Sequence, residues 1–251
     1  MRRPPAGTVP AALVALPLLA LVVRAVADAW RAPDLLPTDL GLRGVRAALS
    51  GEAATATGNS ALVAAATTAL ALLVAWPAAR VLAERRLRRP GPVLVLLAAP
   101  LLVPGYAIGT GLNEWLIRLG VDGTLPAIVL AHLTFAVPYA TLVLLGGFGP
   151  RLTALEEMAH TAGLAPRRRL LLVTLPAAAP TVAAAALLAF LVSWSDYGTS
   201  LAVGAGRPML PLVLLPFVGT DPQIAASLAL VFLAPALVAL AVAVRAGRRP
   251  L

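Results

Sequence analysis

The sequence contains no cysteine and no lysine, and charged side chains are scarce. Only 12% of its 251 residues are charged and 60% are hydrophobic, whereas a soluble domain usually carries about a quarter charged residues. Without cysteine, the chain cannot form disulfides, use a catalytic thiolate or bind a metal through cysteine. Without lysine, it has neither a Walker A loop nor a Schiff-base lysine. The composition therefore indicates a polytopic membrane protein, and any ATP hydrolysis it needs must occur on another chain.

Long apolar stretches make up most of the sequence. About 20 apolar residues are needed to cross the hydrocarbon core as a helix, and a lone strand cannot satisfy its backbone hydrogen bonds in lipid. We therefore predict an all-α membrane protein, with residues 1–251 forming a single domain of six transmembrane helices. The predicted spans are about 9–30, 58–80, 92–112, 124–148, 171–195 and 224–244.

The distribution of arginine predicts the orientation of the chain. With the N-terminus inside, the inner segments hold 14 of the 20 arginines with three glutamates, and the outer segments hold six arginines with eight acidic residues. An excess of basic residues marks the cytoplasmic side of a membrane protein. We therefore expect a multi-pass membrane protein with both termini in the cytoplasm. Trp30, Trp115 and Trp194 would then lie near the outer interface.

The first predicted span has a second interpretation. Arg2 and Arg3, followed by an apolar run and Ala25-Val26-Ala27, resemble a signal peptide with a small-residue cleavage site. The run is long for a signal peptide, however, and Arg24 lies beside the site. Arg24 and Asp28 are four residues apart, so the two side chains would pair on one helix face. We expect a retained membrane anchor.

A charged segment interrupts the apolar sequence between the fourth and fifth predicted spans. Thr153, followed three residues later by Glu156, is a capping-box pattern that predicts the start of a helix. Gly163 suits the left-handed residue that ends a helix, and Pro166 suits the first turn of the next one. We predict a helix–turn–helix on the cytoplasmic face, a shape that fits a groove on a partner protein. The apolar stripe of the first helix is Leu152, Leu155, Ala159 and Ala162.

The same segment resembles a motif of the type I, MetI-like permeases of binding-protein-dependent ABC importers. In that family the pattern is Glu-Ala-Ala, three residues, glycine, nine residues, isoleucine, any residue and Leu-Pro. Every gap is kept here, with methionine in place of the first alanine and valine in place of the isoleucine. The resemblance covers the chain from about Asn59 to the C-terminus. The matching positions are Glu157, Met158, Ala159, Gly163, Val173, Leu175 and Pro176.

This resemblance implies that residues 153–169 are a coupling segment that docks on a separate ATPase subunit. Glu157 would contact the ATPase, Ala159 would permit close approach, and Gly163 would make the turn. Leu175 and Pro176 would mark the start of the fifth span. The implied coupling residues are Glu156, Glu157, Ala159, Gly163, Leu175 and Pro176.

The resemblance also implies a location in the bacterial cytoplasmic (inner) membrane and the partners of the chain. The partners are an ATP-binding subunit, a second permease subunit and an extracytoplasmic substrate-binding protein. We expect the second permease subunit to be a different chain, because permeases of this group commonly work as unlike pairs. ATP would be bound by the partner ATPase. For the chain itself we expect no cofactor, no metal and no catalytic residue, and its net charge of +9 reflects membrane topology rather than binding of nucleic acid.

A polar stretch, residues 193–211, begins at the end of the fifth predicted span. Similar acid-Gly-Thr/Ser runs followed by Leu-Pro occur in permeases for polyamines, ferric iron, thiamine and aminophosphonates, which implies a small solute of this kind as cargo and a path-lining carboxylate. The alternative is an interfacial polar cap with an aromatic belt. The lone intramembrane His132 is either a transport residue or a histidine bonded to a neighbouring helix. The candidate path residues are Asp196, Ser193, Trp194, Tyr197 and His132.

Two other functions stay open at this point. An ATP-independent secondary transporter or channel would show paired ionisable residues within the spans or two repeated halves, and neither is evident in the sequence. An intramembrane enzyme would need a nucleophile–base pair or a metal site, which His132 alone does not supply. The pattern Gly105-x-x-x-Gly109 predicts close helix packing rather than a specific function.

Overall fold

The computed structural model describes residues 8–30, 33–84 and 87–247, most of which are helical. A short antiparallel pair of strands, β1 (Ala27–Ala29) and β2 (Asp39–Leu40), follows the first helix. The all-α fold class is confirmed. The helices are α1 (Thr8–Val26), α2 (Arg43–Ala48), α3 (Gly51–Ala83), α4 (Pro90–Ala98), α5 (Gly105–Arg118), α6 (Leu125–Gly147), α7 (Pro150–Thr161), α8 (Pro166–Arg169), α9 (Leu175–Trp194), α10 (Gly198–Val203), α11 (Leu210–Thr220) and α12 (Pro222–Gly247).

Within the described residues, four uninterrupted helical stretches are long and apolar enough to cross a membrane. They are Gly51–Ala83, Leu125–Gly147, Pro166–Trp194 and Pro222–Val242, at the second, fourth, fifth and sixth predicted spans. At the first predicted span, the apolar helical stretch Ala15–Val26 is shorter. The multi-pass membrane class is confirmed, whereas the count of six spans is not.

The third predicted span, 92–112, is wrong as a single straight helix. Its two halves, Pro90–Leu102 and Gly105–Arg118, meet at an angle of 101°. Val103 between them is extended, with φ −103° and ψ 135°. The cause is Pro104, because a proline ring disfavours the helical conformation in the residue before it. The sequence Val-Pro-Gly therefore breaks a stretch whose composition alone suggested one span.

The first compact unit consists of residues 1–59 and 208–251. Within it, α12 packs against both α1 and α2. The approach of α2 is close, since a Cβ on Gly44 would lie 2.7 Å from the carbonyl oxygen of Gln223. Ser227 on α12 donates a hydrogen bond to the Ala25 carbonyl oxygen at 3.3 Å. The missing side chain of Gly44 on α2 thus allows α2 to lie close to the backbone of α12.

The predicted pair of Arg24 and Asp28 is wrong. Helix α1 ends before Asp28, which lies in β1, so the two residues do not share a helix face. Arg24 instead donates to the carbonyl oxygen of Trp30 at 3.3 Å. Asp28 lies 3.5 Å from Arg43, and the same arginine donates from both terminal nitrogens to Asp221 at the start of α12.

The second compact unit consists of residues 60–207, and the pair α6 and α9 lies at its centre. The two helices are antiparallel, since His132 near the start of α6 contacts Ser193 at the end of α9. At the other end, a Cβ on Gly147 would lie 2.3 Å from the Thr181 Oγ1. The interface is lined by small buried side chains, which are Ala136, Ala140, Ala178, Ala185 and Ala189.

Helices α5 and α10 also pack closely in this unit. A Cβ on Gly109 would lie 2.7 Å from the Ala202 Cβ, and a Cβ on Gly105 would lie 3.1 Å from the Thr199 Oγ1. The predicted packing role of the two glycines is therefore confirmed. Our sequence analysis did not predict α10, which lies inside the polar stretch after the fifth predicted span.

Candidate functional site

The charged segment forms two helices, but the first one begins earlier than its sequence pattern predicts. Helix α7 starts at Pro150, with Gly149 as the N-cap in an extended conformation (φ −95°, ψ −175°) and no side-chain cap. The predicted capping box of Thr153 and Glu156 is therefore wrong. Proline is favoured at the first helical position, because its fixed φ suits a helix and its missing N–H would be unpaired there anyway.

The turn between the two helices agrees with the prediction. Gly163 has a φ of +80°, a conformation that glycine adopts without strain. Its N–H bonds to the carbonyl of His160 at 2.9 Å, and the N–H of Leu164 bonds to the carbonyl of Ala159 at 3.0 Å. This pair of bonds is a Schellman motif. Pro166 then opens α8, so the predicted helix–glycine turn–helix is confirmed as local structure.

Helix α7 has one face against its own chain and one face exposed. Of the predicted apolar stripe, Leu152 and Ala159 are buried, whereas Ala162 is exposed. On the other face Glu157 is exposed, and Met158 is 61% exposed. Glu157 is thus available to a partner, and Ala159 faces the chain to which it belongs.

Glu156 lies on the inward side of α7. Its carboxylate accepts hydrogen bonds from both terminal nitrogens of Arg80, at 3.0 and 2.8 Å, and a third from the hydroxyl of Thr174. Burial favours the neutral carboxyl, but the hydrogen bonds from Arg80 and Thr174 outweigh it and hold the pKa of Glu156 below its usual value. Sequence analysis missed both Arg80 and Thr174, because neither lies near Glu156 in the chain.

Leu175 and Pro176 are the first two residues of α9. The helical stretch is already formed before them, since α8 continues through a π-helical turn, Leu170–Thr174, into α9. The two residues therefore mark a change in helix type and not the first turn of the fifth predicted span.

Four of the five candidate path residues, His132, Ser193, Asp196 and Tyr197, line a cavity of about 340 Å³ in the second unit. The cavity is bounded by the bend before α5, by α6 and by the segment that follows α9. It carries three aromatic rings and one carboxylate. The lining residues that matter for its chemistry are Gly105, His132, Phe135, Tyr139, Asp196 and Tyr197.

His132 connects three polar side chains at the edge of this cavity. Its side chain is 1% exposed. Its Nδ1 lies 2.8 Å from the Ser193 Oγ, and its Nε2 lies 3.0 Å from the Ser200 Oγ and 3.1 Å from the Asp196 Oδ2. One of the two interpretations left open, bonding to neighbouring helices, is therefore observed, and a transport role for His132 stays a prediction. Local sequence around His132 does not predict its acidic partner, because Asp196 comes after the end of α9 in the chain.

Asp196 has a second contact that fixes the chain beyond α9. Its Oδ2 accepts a hydrogen bond from the backbone N–H of Ser200 at 2.8 Å, which satisfies a donor in the first turn of α10. The carboxylate therefore both lines the cavity and holds the start of a helix. Tyr197 lines the cavity too.

Trp194 does not lie with the other path candidates. Its side chain is 4% exposed, and its ring stacks on Phe190 with centroids 5.9 Å apart. The ring therefore packs inside the chain, and it is not among the residues that line the cavity. A path role for Trp194 is not supported by its position.

No protein-family model matches the chain, but several curated proteins do. ORF1 of Streptomyces antibioticus, named as an ABC transporter permease protein, is 34% identical over 172 residues, or 65% of this chain and 72% of the relative. The molybdenum transport system permease protein ModB of Mycobacterium tuberculosis is 32% identical over 203 residues, or 74% and 77%. The putrescine transport system permease protein PotI of Escherichia coli is 29% identical over 172 residues, or 65% and 61%. The chain belongs to the permease proteins of ABC transporters.

Proposed function

We propose that the chain is the membrane subunit of an ATP-driven importer, in which it forms the substrate path and couples that path to a separate ATPase subunit. The observation that carries this proposal is the exposed helix–turn–helix of α7 and α8. Its inward side is held by Leu152, Glu156 and Ala159. Its outward side offers Glu157 and Met158 to a groove on a partner.

The partner must bring the ATP-binding site. The chain has no lysine, so it cannot supply the Walker A residue that reaches the nucleotide phosphates. One chain also offers one coupling segment, whereas two ATPase subunits need two. We therefore include a second permease chain in the assembly, and an extracytoplasmic binding protein that delivers the solute.

The proposed orientation puts α7 and α8 on the cytoplasmic side of a bacterial inner membrane, with both termini on that side. Arg151 and the three consecutive arginines Arg167–Arg169 flank the turn, which agrees with the positive-inside rule. Several other arginines that support this orientation lie outside the described residues. They are Arg2, Arg3, Arg85, Arg86, Arg248 and Arg249.

We place the substrate path at the cavity beside Asp196, which has room for a small solute. The named cargoes of the relatives differ, since PotI is named for putrescine and ModB for molybdenum, so they do not fix the solute here. Aromatic rings and a carboxylate favour a cation over an anion in such a cavity.

Co-purification tests the proposal. The tagged chain, extracted from membranes of its own host in mild detergent, should bring down an ATP-binding subunit whose ATP hydrolysis is inhibited by vanadate. Glu157→Arg combined with Met158→Asp should remove that subunit while the chain stays in the membrane.

Glu114→Arg is the matched control, because Glu114 is also an exposed glutamate and lies on α5, away from the coupling segment. It should leave the complex intact. If the unmodified chain brings down no ATP-binding subunit, the importer assignment fails and the ATP-independent transporter becomes the better explanation.

A further inference from the structure

Four helical elements meet at one ion pair beside the coupling segment. We call this group the Arg80 cluster. Arg80 lies near the end of α3, Phe148 directly after α6, Glu156 in the middle of α7 and Thr174 at the end of the π-helical turn that leads into α9. The cluster is defined by Trp76, Arg80, Phe148, Glu156 and Thr174.

The arginine is fixed in one orientation. Both terminal nitrogens donate to Glu156, and its Nε lies 3.2 Å from Glu84. The guanidinium carbon lies 5.7 Å from the centre of the Phe148 ring, which packs edge-on against Trp76 at 4.9 Å. The planar fork of arginine matches a carboxylate in two bonds at once, which sets direction as well as distance. The pair therefore defines the angle of α7 relative to α3.

The same carboxylate is tied to α9. The Thr174 side chain is buried, and its hydroxyl donates to Glu156. This threonine closes the π-helical turn Leu170–Thr174, and such turns change the register of a helix and occur often at functional sites. Glu156 thus connects α7 to one long helix through Arg80 and to another through Thr174.

The backbone alone does not provide the first of these links. Helix α7 is joined covalently to α6 through Gly149 and to α8 through the Gly163 turn, but α3 lies far away in the sequence. A displacement of α7 reaches α3 only through side-chain contacts. Among those contacts the Arg80–Glu156 pair has a fixed direction, whereas the apolar packing of Leu152 can slide.

We propose that Arg80 is a positioning residue for coupling: it transmits movement of α7 to α3, with Glu156 as the shared point of attachment to α3 and α9. This inference rests on the proposed function, because it needs a partner that moves α7. It also changes the role of Glu156, which becomes an internal connection and not a contact with the ATPase.

The absence of cysteine makes the test direct, since one introduced cysteine is unique in the chain. Ser195→Cys is the reporter, at an exposed residue that lines the cavity. Its rate of labelling by a maleimide is measured on the purified complex, with and without ATP plus vanadate. In the otherwise unmodified chain we expect this rate to change at least about fivefold, the low end of typical coupling between sites.

Arg80→Gln and Glu156→Gln should each bring the ratio of the two labelling rates to about one, while the ATPase subunit still co-purifies and hydrolyses ATP. Arg80→Lys keeps the charge but loses the two-bond geometry, so its ratio should be intermediate. Arg118→Gln is the control, because Arg118 forms an exposed pair with Glu114 on α5. It should leave the ratio unchanged.

The outcomes separate the two proposals. If the unmodified complex lacks an ATPase or shows no nucleotide response, the proposed function fails. If the ATPase is bound and Arg80→Gln responds like the unmodified chain, the role of Arg80 is overturned. If Arg80 had only a structural role, Arg80→Gln would lower the yield of the complex and leave the ratio of the two labelling rates unchanged. If Arg80→Gln does not accumulate, Arg80→Lys decides: an unchanged ratio contradicts the inference, and a reduced ratio in an assembled complex supports it.

Discussion

The Arg80 cluster and the His132 group lie at opposite ends of the same helix pair, α6 and α9, and they are built from different chemistry. The Arg80 cluster joins an arginine to a glutamate, with side chains that are 27% and 14% exposed. The His132 group joins a nearly buried histidine to two serine hydroxyls and one carboxylate at the edge of a cavity. The cavity beside the Arg80 cluster has a volume of about 130 Å³, whereas the cavity beside the His132 group has a volume of about 340 Å³.

This difference follows from the cost of burying charge. An ion pair near a helix end stays close to water, so two permanent charges are tolerated there. At the other end of the helix pair, hydroxyl groups and an imidazole ring take the place of the arginine, and the one carboxylate lines the cavity. The Arg80 cluster is therefore suited to fixing helices in place, and the His132 group is suited to meeting a solute.

The largest effect is expected at the turn beside the Arg80 cluster. Gly163→Val puts a β-branched residue at a φ of +80°, which costs about 1–2 kcal/mol and drives the backbone out of the left-handed region. The angle between α7 and α8 should change, and coupling should be abolished. The measurement is the rate of maleimide labelling at Ser195→Cys, with and without ATP plus vanadate.

Gly149→Val is the control for this change. Gly149 caps the other end of α7 in an extended conformation that valine adopts easily, and a Cβ there meets nothing within 4 Å. Coupling should survive in this variant. A normal nucleotide response in Gly163→Val would contradict the coupling role of the turn.

The next effect concerns the His132 group. His132→Ala and Asp196→Ala should each destabilise the protein by about 1–3 kcal/mol, because each leaves a buried polar partner unsatisfied. The double variant should lose less than the sum of the two, with an interaction of about 0.5–3 kcal/mol. Thermal unfolding in detergent measures all four proteins of the cycle. Additive losses would show that the two side chains act independently.

The sequence predicted the Gly163 turn and the Gly105–Gly109 packing, because each depends on a local pattern. It did not predict the partners of His132 or Glu156. Asp196 and Arg80 reach them only after distant helices have packed, and no spacing rule connects such positions. The capping-box prediction failed although it rests on a local pattern. Thr153 has the capping pattern, but Pro150 is the stronger signal for the start of a helix. The bend at Pro104 was not predicted, because the span at 92–112 was assigned from its apolar composition and the proline within it was not treated as a break.

A smaller effect tests the packing that holds α10 beneath the His132 group. Gly109→Ala adds a methyl group that would lie 2.7 Å from the Ala202 Cβ, and overpacking of this kind costs about 1–3 kcal/mol. Gly111→Ala, two residues along the same helix, meets nothing within 4 Å and should gain up to about 1 kcal/mol from helix propensity. The unfolding temperatures should therefore shift in opposite directions. Shifts of the same sign would contradict the close contact of α5 and α10.

The smallest effect concerns the charge of Glu156. Its lowered pKa means that the ionised carboxylate stabilises the folded chain above the ordinary glutamate pKa of 4.5, and that this stabilisation is lost as the pH falls through the folded pKa. Glu156→Gln should lower the unfolding temperature by about 2–4 °C, equivalent to about 1 kcal/mol for a chain of this size.

The pH dependence of that difference decides which force controls the Arg80 cluster. If the hydrogen bonds from Arg80 and Thr174 outweigh burial, the difference between the unmodified chain and Glu156→Gln stays constant from neutral pH down to 4.5 and shrinks only below it. If burial dominates, the folded pKa is raised, and the unmodified chain gains stability relative to Glu156→Gln as the pH falls from neutral. Glu114→Gln, at an exposed pair worth less than about 1 kcal/mol, should show little difference at any pH. A stability difference that grows as the pH falls from neutral would mean that the ion pair is too weak to fix α7 against α3.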